Sequence, residues 1–124
     1  MTVLGELDPT PLIPIFGALQ TNEVVITEER IAHIKERHPE DYILFEQYGR
    51  EAALSPDILI QDMKNTGTVF AVKKLPDTNL NVVLRLVLDV DNPNFKNSIM
   101  TFYRIRERNL KKLMQKNPVL YIKE

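Results

Sequence analysis

The chain has 124 residues, 44% of them hydrophobic, with no cysteine and no tryptophan. This length supports one domain with a real core, and the lack of cysteine excludes disulfides, thiolate zinc sites and cysteine nucleophiles. The formal net charge of −1 hides a division: residues 1–62 carry twelve acids against four bases, a net −8, and residues 63–124 carry twelve bases against five acids, a net +7.

The first 22 residues read as an arm and residues 23–124 as a single domain. Pro9, Pro11 and Pro14 remove backbone donors and forbid a helix interior in the arm. Leu12, Ile13, Ile15 and Phe16 still need cover, from the domain or from a second copy of the chain as a homodimer. The segment has no basic leader region, and its apolar run is too short to span a bilayer. A cytoplasmic protein without a membrane partner is therefore expected.

Val24-Val25-Ile26 is a short strand or an apolar entry segment. Thr27 has the character of an N-cap, with Glu28 and Glu29 suiting the positive helix end. The helix runs to about His38, where Pro39 stops it. A second helix is expected over Asp41–Tyr48, ended by Gly49, with a turn over 50–57. Ile58–Ile60 and residues 66–75 are strand candidates. The long run Leu80–Val90 places Leu80, Val82, Leu84, Leu86, Leu88 and Val90 on one face. Such alternation predicts a face buried under helices and an opposite face at least partly open. Asn97–Ile105 is the next strand, Arg106–Gln115 a basic helix and Val119–Ile122 a last strand. The order predicts an α+β fold, with N-terminal helices packed on an antiparallel sheet of four or five strands. The basic helix is placed to act as a crossover to the last strand.

Two histidines lie on the first helix. Thr27, Ile31, Ile34 and His38 share its core-facing side, so His38 stands where an aliphatic residue is expected. It is also a plain candidate for a core-edge histidine bonded to a carbonyl. His33 lies on the opposite side, one turn after Glu29, where a solvated residue is equally natural. Arg85 is the one full charge in the middle of the long strand, on its less apolar face. It fits a sheet ion pair, or a fixed cation for phosphate. Met100 and Phe102 suit the buried face, which leaves Ile99, Thr101 and Tyr103 beside Arg85. Lys73 joins them if its strand is in matching register. The densest basic stretch holds Arg104, Arg106, Arg108, Lys111, Lys112 and Lys116 against Glu107 alone. These residues suit a polyanion such as a nucleic-acid backbone. Glycine-rich phosphate loops and zinc-protease or serine-hydrolase motifs are absent, so neither cofactor nor metal is expected.

Taken together, HIKERHP at 33–39, SPDILI at 55–60, VKKL at 72–75, NVVLRLVLDV at 81–90 and NSIMT at 97–101 carry a resemblance. The chain resembles the phage-associated nucleases of the barnase–EndoU–colicin–RelE-like superfold over about residues 24–122. The resemblance implies a metal-independent endoribonuclease, toxin-like or associated with a phage or mobile element, cutting RNA through attack of a ribose 2′-OH. It also implies an immunity or antitoxin protein as partner. His33 and His38 match its helix motif, Arg85 its strand cation, and Ser98 and Thr101 its late strand. Histidine suits proton transfer near neutral pH, Arg85 would stabilise the transition-state charge, and Thr101 would bond a phosphate oxygen. No glutamate stands out as a base, which leaves His33 and His38 as rivals for that role. Two other readings fit the same residues: a nucleic-acid-binding module without catalysis, and a protein-interaction domain on a nuclease-like fold.

Overall fold

The computed structural model describes all 124 residues. Its elements are β1 (Thr2–Glu6), α1 (Ile13–Phe16), β2 (Glu23–Ile26), α2 (Glu28–Arg37), α3 (Pro39–Leu54), β3 (Ile58–Gln61), β4 (Thr68–Lys74), β5 (Asn79–Arg85), β6 (Asn97–Ile105), α4 (Glu107–Lys116) and β7 (Val119–Ile122). All strands join one seven-stranded sheet in the order β1-β2-β6-β5-β4-β3-β7. Neighbours run antiparallel except β2 and β6, which are parallel. The class is α+β, but the sheet is wider than expected and mixed.

The arm belongs to this sheet and its core. Thr2–Glu6 pairs with β2, and Leu4, Leu7 and Leu12 are buried in the main apolar cluster. Pro14 sits in the first turn of the short α1, where its missing N–H costs nothing.

The alternation of β5 settles the layers. Leu80, Val82 and Leu84 join Val69 and Ala71 of β4 and Phe102 of β6 against Ile34 of α2 and Phe45 of α3. The Phe45 and Phe102 rings stack with centroids 3.9 Å apart. Residues of the other parity, Ile58, Ile60 and Val72, form a second cluster with Ile105 and with Leu110 of α4. So α2 and α3 cover one face of the sheet, and α4 covers one end of the other. The basic helix is not a parallel crossover between neighbours. It carries the chain across the second face to the far edge, where β7 pairs antiparallel with β3.

Two helix boundaries have identifiable causes. Thr27 caps α2, its Oγ1 accepting from the Arg30 N–H at 3.2 Å. The second helix is twice the expected length because Gly49 does not stop it. Gly49 is buried, and a Cβ there would lie 2.5 Å from Cδ1 of Phe45. The glycine makes room for the ring that stacks on Phe102. Gly49→Ala should therefore destabilise the fold by about 1–3 kcal/mol despite alanine's better helix propensity. Urea unfolding checks this, and a stabilised variant would show that the ring has another place to go.

The strand β5 also ends earlier than its alternation suggests. The Leu86 N–H still reaches the Gly67 carbonyl at 2.7 Å, and after it the backbone donors turn to side chains. The Val87 N–H donates to Asn97 Oδ1 at 2.8 Å, and the Leu88 N–H to Asp91 Oδ2 at 2.8 Å. Leu86 stays buried and Leu88 packs at the edge of the core, but Val90, expected on the buried face, is 90% exposed.

Candidate functional site

The face of the sheet that α4 leaves uncovered carries the outward residues of β5 and β6. The register pairs Asn81 with Tyr103, Val83 with Thr101, and Arg85 with Ser98. Thr101 and Tyr103 thus lie on the face of Arg85, as the alternation predicts. Ile99 does not. A bulge between Val83 and Leu84 in this pairing leaves Met100 unpaired and shifts the parity. Ile99 is buried in the main core opposite Leu84, and Met100 is exposed. From Ser98 to Tyr103 the strand spans roughly 16 Å at its usual rise.

Arg85 sits at one end of this face. Its Nη1 donates to the Leu86 carbonyl at 2.8 Å, and Nη2 lies 3.7 Å from Asp91 Oδ1. Gly67, at φ +79°, leaves the space for it: a Cβ there would fall 1.9 Å from Nη1. The guanidinium therefore ties down the 86–91 turn. It also borders a pocket of about 370 Å³ together with Asn94, Phe95, Lys96 and Ser98.

The histidines are elsewhere. His33 and His38 belong to the α2 layer, which packs through Ile34 on the opposite face of the sheet. Both are exposed. His33 borders a shallow polar pocket with Thr27, Glu29 and Arg30. His38 ends α2 and precedes α3. A cluster of His33 or His38 with Arg85 and Thr101 is therefore not assembled, because β5 points its odd-numbered residues away from α2. The core-facing position expected for His38 is also not occupied: the helix ends at Arg37, and the chain turns into Pro39 before the ring can enter the core.

Two expected substrate-binding cations serve the fold. Lys73 pairs with Leu80, so it lies on the α3 side of the sheet. Its Nζ is 3.0 Å from Glu51 and 3.5 Å from Asp57. The bond to Glu51 holds the Lys73 ammonium above its ordinary pKa. Arg104 also faces α3. Its Nε donates to Asp41 Oδ1 at 2.7 Å, and its Nη2 lies 3.2 Å from Glu40. The bond to Asp41 raises the Arg104 pKa further. Acids and bases of the two halves of the sequence thus meet inside the fold in these pairs.

Arg106 caps α4, and Arg108, Lys111, Lys112 and Lys116 lie on it. Glu107 at its start accepts from Lys74 at 2.6 Å and from Asn79 at 3.0 Å, and the Lys74 bond, followed by that from Asn79, holds its carboxyl below the usual range. Arg106, Arg108, Lys111, Lys112 and Lys116 are exposed and form no ion pair. Between α4 and the sheet runs a groove of about 450 Å³, bordered by Phe70, Tyr103, Asn109, Lys112 and Lys116. Sequence reasoning singled out Tyr103 and Lys112 but missed Phe70 and Asn109. Their common signal, visible only with the fold, is that α4 lies over the outward parity of β4 and β6.

No group of three or more His, Asp or Glu side chains is placed to hold a metal ion, and no helix is long and apolar enough to cross a membrane. No protein-family model matches the chain, and comparison with curated proteins and with solved structures finds no match.

Proposed function

We propose that this protein binds single-stranded RNA along α4 and the uncovered face of the sheet. One observation carries the reading. Four cations, Arg108, Lys111, Lys112 and Lys116, stand unpaired on one short helix with a fifth, Arg106, at its cap, beside a groove that exposes an aromatic ring. Cations that neutralise phosphates supply most of the affinity for a nucleic-acid backbone, and an aromatic ring adds sequence-tolerant stacking. Two further basic residues of the second half, Lys73 and Arg104, are neutralised by acids of α3 and its flanks.

Metal-independent cleavage of the bound RNA is a second reading. It is favoured by Arg85, Lys96 and Ser98 around one pocket on the same face. In that reading the negative charge on the phosphoryl oxygens is met by Arg85 and Lys96, and proton transfer does not come from His33 or His38 acting at the same phosphate. This rearranges the roles implied by the nuclease resemblance and leaves the site without an assigned base.

Labelled RNA incubated with the protein in EDTA separates the readings. Retention of intact RNA, weakening steeply with salt, is the expected result. Cleaved RNA with 2′,3′-cyclic ends would favour the second reading. RNA neither retained nor cleaved would reject both.

A further inference from the structure

The groove between β6 and α4 has features that a surface for phosphates alone does not need. Tyr103 is 36% exposed on an open strand face, yet its hydroxyl is fixed. Asn81 Nδ2 donates to Tyr103 Oη at 3.0 Å. The phenolic hydrogen is thereby left free for an outside acceptor. Asn81 itself is completely buried, and its Oδ1 has no donor. A buried acceptor without a donor is a cost that an apolar residue at this position would avoid. Packing alone would not select this pair of residues.

The opposite wall is regular. Asn109, Lys112 and Lys116 stand at i, i+3 and i+7 of α4, so they share the helix face that borders the groove. The Asn109 side chain makes no hydrogen bond within the protein. Its carboxamide offers a donor and an acceptor side by side, the pattern a nucleobase edge presents. Lys112 and Lys116 lie beyond it as point charges. Phe70 closes the floor beside Tyr103. The volume of about 450 Å³ suits a single nucleotide.

The geometry points to a subsite for one unstacked nucleobase of single-stranded RNA in this groove. Its ring lies on Tyr103, its edge faces Asn109, and its phosphate faces Lys112 and Lys116. The inference rests on the proposed RNA binding and adds where and how a base is held. Phosphate contacts along α4 would need neither Tyr103 nor Asn109.

Equilibrium binding of fluorescein-labelled A6 and U6 RNA to the full chain tests it. Tyr103→Ala should weaken the tighter of the two by about 10–100-fold, as removal of a stacking platform does. Tyr103→Phe keeps the ring and loses only the phenolic donor, so its loss should be confined to about 2–10-fold. Asn109→Ala, on the exposed side of α4, should narrow the difference between A6 and U6 while leaving the salt dependence unchanged. If Tyr103→Ala fails to fold, Asn109→Ala decides alone: an unchanged base preference in that variant rejects the subsite. If RNA binds but both Tyr103→Ala and Asn109→Ala leave affinity and base preference untouched, the subsite is wrong and RNA binding by α4 stands. If the parent binds neither RNA, the subsite and the function proposed above fall together.

Discussion

Replacing Asn97 by leucine is expected to cost about 3–5 kcal/mol of folding stability, the largest effect of any single polar substitution in the chain. Asn97 is fully buried at the start of β6. Its Oδ1 accepts from the Val87 N–H at 2.8 Å, and its Nδ2 donates to the carbonyls of Thr21 and Glu23 at 2.8 and 3.0 Å. One carboxamide thus joins the arm, β2 and the segment that leaves β5. These are the places where the ladder gives out: β2 and β6 pair over only two registered positions, and β5 has already ended. Leucine would fill a similar volume but strand one donor and two acceptors, each worth about 1–3 kcal/mol when buried without a partner. Water reaching the loop carbonyls is the reason to expect less than the full sum. Urea unfolding monitored by far-UV circular dichroism gives the value. A loss below about 1 kcal/mol would mean that β2 and β6 are held together by other contacts.

The second large effect concerns α4. The triple variant Arg108→Gln, Lys111→Gln, Lys112→Gln should weaken single-stranded RNA binding on the order of 10²-fold at low salt. Each phosphate contact to a single strand contributes about 0.7 to the slope of log affinity against log salt. Removing three contacts should therefore flatten that slope by about 2. The three side chains are exposed and form no ion pair, so the fold should be unaffected. Arg104→Gln is the matching control. It removes a charge from the same basic stretch, but one already matched by Asp41 and Glu40. Its effect should appear in stability and not in the salt slope. Equal losses of affinity from the control and the triple variant would show that binding follows total charge and not the α4 surface.

These contrasts show what could be read from the sequence. Thr27 as a cap, Asn97–Ile105 as a strand, the basic helix after it and the inward set Leu80 to Leu86 all follow from local rules of capping and period. Each is decided by residues near in the chain. The failures share a different physics. Gly49 reads as a stop until the Phe45 ring packed against it is seen. Lys73 and Arg104 look like free cations until the sheet register turns them toward acids on α3. The bulge at Met100 reverses Ile99 while leaving Thr101 and Tyr103 in place, which no periodicity reveals. Arg85 stands out in the sequence because it interrupts an apolar run. The histidines stand out because they are rare. Whether such residues meet depends on which side of the sheet each helix is laid, and that is a property of the whole chain.

The position of β7 at the far edge has a consequence for how the molecule is made. Ile58 and Leu59 of β3 have Ile122 and Tyr121 as their partners on one side. During synthesis β3, β4, β5 and β6 can associate as soon as each emerges, since they are consecutive antiparallel strands. The outer margin of β3, with the run Ile58-Leu59-Ile60, stays bare until residues 119–122 have appeared and α4 has folded across the sheet. Unpaired apolar margins of this kind recruit other chains. The closing strand covers that margin and becomes the sheet edge in its place, so a truncation that removes it would leave the Ile58-Leu59-Ile60 margin permanently exposed.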